Sequence, residues 1–255
     1  MKRLTRLALA SLASLAFCGL VATAQAETLR IATEGAYPPF NYVDSKNQLH
    51  GFDVDIANAL CAKLKVECTL VAQDWDGIIP ALLAKKYDAV VASMVITEER
   101  QKKVAFTDRY YRTRLAVAVA KGSELKDTRP ESFKGLVVGA QSATTQGMYA
   151  EDIYGAAGAE VKLYPSQDEA NADLATGRLD ALVHDKFPLL DWLAKDGNDC
   201  CVLLGDIQGT DDEVAIAVRQ EDNALRERLN KALAEMVADG TYKQIASRYF
   251  PFDIY

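Results

Sequence analysis

The 255-residue sequence predicts an α/β fold in two lobes, each a mainly parallel sheet flanked by helices, with a ligand cleft between the lobes. Three observations point to it. Short β-rich runs alternate with amphipathic helical segments, the pattern of parallel strands joined by covering helices. One phrase occurs twice, as "KKYDAVVASM" and "GRLDALVHDK": a helix ends, an Asp opens a buried strand, and polar residues follow its far end. After the second unit, one more strand introduces two helices, as in a tail that returns to complete the first lobe.

The elements follow in chain order. Lys2, Arg3 and Arg6, the apolar stretch Leu7 to Leu20 and the small residues Ala24-Gln25-Ala26 read as a secretory signal peptide over residues 1–26. The apolar run is short for a bilayer span. Phe17 is too bulky for the lipid-attachment motif that Cys18 would otherwise suggest. "TLRIAT" (28–33) is a strand, and Phe52, Ile56, Leu60 and Leu64 recur at helical spacing in 51–65. Strand 67–72, helix 76–86 and strand 87–94 come next. Strands follow at 115–120 and 135–141, then a helix from Thr144, strand 160–164, helix 166–177, strand 179–184 and a helix from Asp185. Strand 213–220 and helices 223–238 and 241–249 close the chain. Lobe 1 is expected to span 27–112 and 213–255, and lobe 2 113–212. The two crossings near Arg112–Leu115 and Asp211–Val214 are the expected hinge.

Composition narrows the function. With 49% hydrophobic and 25% charged residues the chain is globular rather than disordered. Loss of Lys2, Arg3 and Arg6 takes the formal charge from −7 to −10, which disfavours nucleic acid as a partner. Cys61, Cys68, Cys200 and Cys201 remain in an oxidising compartment. Cys61 at a helix end and Cys68 at the next strand start are expected to pair. Cys200 and Cys201 are adjacent; a strained vicinal bridge, free thiols and pairing between chains all remain open. Four thiols at this spacing match no zinc pattern, and His50 and His184 are the only histidines, so neither a metal nor a cofactor is expected.

Candidate site residues gather where strands end. Arg100 lies in the first turn of a helix starting near Thr97, where free amides and a guanidinium converge on one point suited to a carboxylate. The alternative is a surface arginine paired with Glu98 or Glu99. Asp185, just past a buried strand of the other lobe, either accepts an ammonium group, caps the following helix, or does both. "ATEGAYPPFNY" brings Glu34 and Tyr37 to a strand end, and "QDWDGI" brings Trp75 to another. A carboxylate with aromatics suits a cationic side chain, while loop packing is the other role open to the rings. The turn "QSATTQ" offers an anion site or simple capping by Ser142 or Thr144.

Taken together, "GFDVDIANALCAKLKVEC", "IIPALLAKKYDAVVAS", "ITEERQKKVAFTD", "ATTQ", "LATGRLDALVHD" and the tail from "EDNALRERLNKALAEM" resemble the polar amino-acid solute-binding proteins of bacterial ABC importers. The likeness covers residues 28–255 and is strongest to the lysine/arginine/ornithine- and histidine-binding group. It implies a monomeric two-lobed periplasmic binding protein that closes on a basic amino acid and delivers it to an inner-membrane permease; presenting the bound ligand to a chemoreceptor in trans is a third possible role. The resemblance implies that Arg100 grips the α-carboxylate, helped by the segment Ser93 to Val95 and the turn with Thr144 and Thr145. It implies further that Asp185 takes the α-ammonium, Tyr37 and Trp75 sandwich the side chain, Glu34 neutralises its distal charge, and Cys61 bonds Cys68. Ala92 and Val95 stand where the group often carries serines, Glu34 where it has Asp, and Trp75 where it has a smaller or different apolar residue. "TEGAY" with "WDGI" also resembles the opine-binding branch, and the same architecture serves a cyclohexadienyl dehydratase, which makes an enzyme the rival class.

Overall fold

The computed structural model describes residues 28–255. The expected signal peptide, with Cys18, lies outside the described residues.

The first sheet begins with β1 (Thr28–Thr33). A small antiparallel sheet follows, made of β2 (Ala36–Tyr37), β3 (Asn41–Val43) and β4 (Leu49–His50). Helix α1 (Phe52–Leu64) buries Phe52, Ile56, Ala57, Leu60 and Cys61 on one face and ends at Lys65 in the left-handed conformation. Next come β5 (Glu67–Ala72), α2 (Trp75–Leu83), β6 (Ala89–Val90), α3 (Glu98–Gln101) and β7 (Val104–Thr113). The chain then crosses through Arg114 to the second sheet: β8 (Leu115–Ala120), β9 (Val137–Gln141), α4 (Thr145–Tyr149), β10 (Glu160–Tyr164), α5 (Gln167–Ala175), β11 (Ala181–Asp185), α6 (Lys186–Ala194) and β12 (Cys201–Asp206). β13 (Asp212–Arg219) crosses back, and α7 (Asn223–Ala238) and α8 (Thr241–Ala246) follow.

The two five-stranded sheets have orders β5-β1-β6-β13-β7 and β10-β9-β11-β8-β12. Both are mixed. Three neighbouring strands run parallel in each; the fourth, β13 or β8, is antiparallel to both its neighbours, so the edge strand β7 or β12 runs with the first three. Strands β7 and β12 are absent from the sequence expectation; in β7 the charged residues Asp108 and Arg109 interrupt the apolar alternation that marks a strand. Each sheet has a core on both faces. In the first, Ile31, Phe52, Leu60, Ile216 and Leu229 pack on one side and Ile78, Leu82, Val90 and Met94 on the other. The second repeats the arrangement with Val117, Phe133, Val138 and Tyr154, and with Leu174, Leu182 and Leu189. The tail helix α7 buries Leu229, Ala232, Leu233 and Met236 in the first of these cores.

One expected strand is much shorter than the sequence reads. Residues 87–94 keep only Ala89–Val90 in the ladder. β13 pairs Ala217 with Val90 and then takes up Met94 through Ala215 N–H, at 3.0 Å. Val91 N–H still donates to Ala32 O of β1 at 2.9 Å, but residues 91–93 are surplus to the pairing with β13 and bulge at the carboxyl end of this central strand, with Ser93 at φ 52°. The bulge turns Ser93 toward the gap between the lobes. Cys61 and Cys68 are bonded, tying the end of α1 to β5, and Cys200 and Cys201 are bonded to each other.

Candidate functional site

Arg100 is placed by a strand junction and a cap. Ile96 N–H donates to Glu213 O at 2.9 Å and Ala215 N–H to Met94 O at 3.0 Å, so Val95 between them carries no ladder bond and turns its own N–H and C=O away from β13. Thr97 then caps α3, its hydroxyl oxygen accepting the Arg100 N–H at 3.1 Å. The Arg100 side chain is buried. It donates to Val95 O at 2.8 Å and, across the gap, to Ala143 O at 3.2 Å, and its guanidinium carbon lies 5.2 Å from the centre of the Trp75 ring. Glu99 pairs with Lys103 at 3.0 Å rather than with Arg100. Burial lowers the Arg100 pKa to about 10, against the pull of Asp185 and Asp212.

Asp185 ends β11 and occupies the cap position of α6, yet makes no capping bond with its side chain. Oδ2 accepts the Tyr37 hydroxyl, and the buried Oδ1 has no hydrogen-bond partner among the described residues. Burial raises its pKa to about 7, helped by Asp212 and opposed by the Tyr37 hydrogen bond and by Arg100. Glu34, after β1, accepts from Gln141 Nε2 at 2.6 Å. Its pKa is also raised to about 7, first by burial, with Asp168, Asp74 and Asp76 adding to the rise and the Gln141 bond opposing it.

All nine sequence-predicted ligand residues, Glu34, Tyr37, Trp75, Ser93, Val95, Arg100, Thr144, Thr145 and Asp185, line one interlobe cleft, together with Ala92, Gln141 and Gln146. Gln141 and Gln146 escaped the sequence reading. Their flanking position in "QSATTQ" was the only signal for them. As the lobes stand the cleft is narrow, with little free space between its walls. The lobes meet around it: Trp75 Nε1 donates to Ala143 O at 3.0 Å, and Ser142 Oγ to Asp76 at 3.2 Å.

The hydroxyls behave differently from one another. Thr144 Oγ donates to Gln141 O at 2.6 Å and accepts from Gly147 N at 3.0 Å, so it caps α4 and has no hydrogen left to donate. Gly147 is required here, since a Cβ would stand 2.4 Å from Gln141 O. Ser93 donates its hydroxyl to Asp53 at 2.9 Å and its N–H to Tyr110 Oη at 3.0 Å. Arg100 and the Val95 N–H, which β13 leaves unbonded, are donors in the cleft lining, while the Gly147 and Met148 N–H groups of α4 are taken up by Thr144. A buried cation and a buried carboxylate in one small cavity can hold a zwitterion, because each charge removed from water meets its opposite.

His184 is buried beside Tyr37, with ring centres 5.4 Å apart, and burial lowers its pKa to about 3. His50 bonds Asp44 at 3.0 Å, remote from the cleft lining. No group of three or more His, Cys, Asp or Glu placed to hold a metal occurs among the described residues. None of their helices is long and apolar enough to cross a membrane.

Comparison with known proteins finds relatives along nearly the whole chain. The L-arginine-binding protein of Pseudomonas aeruginosa is 42% identical over 255 residues, 98% of each chain. The histidine-binding periplasmic protein of Escherichia coli K12 is 39% identical over 234 residues, 90% of each. A solved structure of an ancestral arginine-binding protein bound to arginine has a TM-score of 0.83 and 39% identity, covering 88% of this chain and 98% of that one. The model of the bacterial extracellular solute-binding proteins, family 3, matches residues 29–252, and the chain belongs to that family.

Proposed function

We propose that this protein captures a basic L-amino acid in the periplasm, with L-arginine the first candidate, and hands it to an ABC permease. The observation that carries the reading is the pairing of buried Arg100 and buried Asp185 in one small cleft, with Glu34 as a second carboxylate in the same lining. Arg100 and the Val95 amide receive the α-carboxylate. Asp185 takes the α-ammonium on Oδ1, the oxygen that Tyr37 leaves unbonded. Tyr37 and Trp75 flank the side chain, and Glu34, held by Gln141, meets its distal cation. Thr144 and Thr145 shape the turn whose amides face the carboxylate. Lobe 1 comprises 27–112 and 213–255 and lobe 2 comprises 113–212, with closure about the two crossings between them. A thermal-shift screen of L-arginine, lysine, ornithine, histidine and opines tests the reading. A saturating basic amino acid raises the melting temperature by mass action, and no shift with any of them rejects it.

One observation favours a second reading. A carboxyl group with a pKa of about 7, as in Glu34, is half protonated at neutral pH and equipped to protonate a leaving hydroxyl, as a dehydratase acting on prephenate or arogenate requires. Formation of an aromatic product on incubation with either compound would establish it.

A further inference from the structure

Asp53, in the first turn of α1, is fully buried and is absent from the cleft lining. Its carboxylate accepts three hydrogen bonds from neutral donors: Tyr110 Oη at 2.7 Å on Oδ1, and Asn41 Nδ2 at 2.8 Å and Ser93 Oγ at 2.9 Å on Oδ2. A buried carboxylate is costly, and an apolar residue would pack among Phe52, Tyr110 and Tyr111 without that cost. Helix α1 does not need the acid as a cap either. The Phe52 and Asp53 N–H groups already donate to Pro39 O and Phe40 O, at 3.0 and 2.7 Å.

Each donor leads toward the cleft. Asn41, held by Asp53 through Nδ2, turns Oδ1 to the Gly35 N–H at 2.7 Å, in the loop that carries Glu34 and Tyr37. Tyr110, held by Asp53 through its hydrogen, turns its oxygen to the Ser93 N–H at 3.0 Å. Ser93 is gripped a second time through its hydroxyl. Gly35 and Ser93 are both left-handed turn points, at φ 87° and 52°, and Ser93 adopts that conformation without being glycine. Fixed partners at those two points decide where Glu34, Tyr37 and Val95 stand.

We propose that Asp53 is a positioning residue for the ligand site: one buried carboxylate locks both lobe-1 loops of the cleft, the Glu34–Tyr37 loop through Asn41 and Gly35, and the Ser93–Val95 segment through Ser93 and Tyr110. The inference shares the cleft with the amino-acid reading above but does not require the ligand to be arginine.

The test combines amide hydrogen exchange in the ligand-free protein with calorimetric titration of L-arginine. Asp53→Ala is expected to speed exchange at both Gly35 and Ser93 while β1 stays protected, and to weaken arginine binding at least about tenfold, since small misplacements of positioning groups cost that much or more. Asp53→Asn keeps one oxygen able to accept from Asn41 and Ser93, and is expected to recover most of the affinity. Asn41→Ala should speed exchange at Gly35 alone, and Tyr110→Phe at Ser93 alone. If Asp53→Ala does not fold, that pair of selective effects decides the matter. Wild-type exchange at both amides in folded Asp53→Ala, or an Asp53→Asn protein as impaired as Asp53→Ala, overturns the proposal, as does the absence of both selective effects. Failure of the wild-type protein to bind arginine counts against the ligand reading, and exchange alone then judges the role of Asp53.

Discussion

Arg100 shows how little of a residue's role is local. Its helix start and cap are written in "ITEER", but the sequence offers Glu98 and Glu99 as partners, and the fold instead aims the guanidinium at Val95, Trp75 and Ala143. Truncating one member of a buried charge pair costs about 2–5 kcal/mol. Arg100→Ala is therefore expected to weaken L-arginine binding by roughly thirtyfold or more by calorimetry, at about 1.4 kcal/mol per tenfold, with an unchanged far-ultraviolet dichroism spectrum. The carboxylates make a second prediction. Asp185 and Glu34 at about 7, and Asp53 and Asp212 at about 6, keep protons in the folded protein where an unfolded carboxyl, titrating near pH 4, has lost them. Folding takes up protons in that window, so ligand-free stability falls as pH rises from about 4 to 7. A cationic ligand needs Asp185 and Glu34 ionised, so its binding releases protons and weakens below pH 7. Thermal melts of the free protein, and titrations in two buffers of different ionisation heat, check the opposed trends. The hydroxyls of Ser93 and Thr144 were legible only as candidates, because their commitment to Asp53, Gln141 and Gly147 depends on groups that the fold brings to them.

At the scale of elements, amphipathic spacing identified α1 well, since it lays a continuous apolar stripe on the sheet. The 87–94 run misled because an apolar string reads alike whether it continues in a ladder or bulges from it, and the departure was imposed by the register of β13. The Cys61–Cys68 bond closes a short loop between α1 and β5. Replacing both cysteines by serine should lower stability by about 2–3 kcal/mol, read as a lower denaturation midpoint. Neither cysteine lines the cleft, so arginine affinity should stay within about twofold.

For the whole molecule the governing feature is that the cleft belongs to neither lobe alone. Tyr37 to Asp185, Gln141 to Glu34, and Trp75 and Arg100 to Ala143 each cross it. Trp75→Phe removes one of these links while keeping a ring, and is expected to weaken arginine binding several-fold, mostly through faster dissociation, measurable by stopped-flow fluorescence. Opening about the β7–β8 and β12–β13 crossings should make the ligand-free protein more expanded in solution, with arginine reducing its radius of gyration in small-angle scattering.

The sequence by itself determined the alternation of strands and helices and the two-lobed class, and it marked Glu34, Tyr37, Trp75, Arg100, Thr144 and Asp185 as candidates, because periodicity and strand-end polarity are properties of neighbouring residues; Ser93, Val95 and Thr145 came from the family resemblance. Tertiary structure alone decided which hydroxyls are committed, which carboxylates are buried and so raised in pKa, and that Gln141 reaches Glu34 and Asp53 reaches Ser93. Those properties depend on burial and on hydrogen bonds between distant segments, such as Glu34 with Gln141 and Asp53 with Ser93, and no local pattern encodes the distance between such pairs.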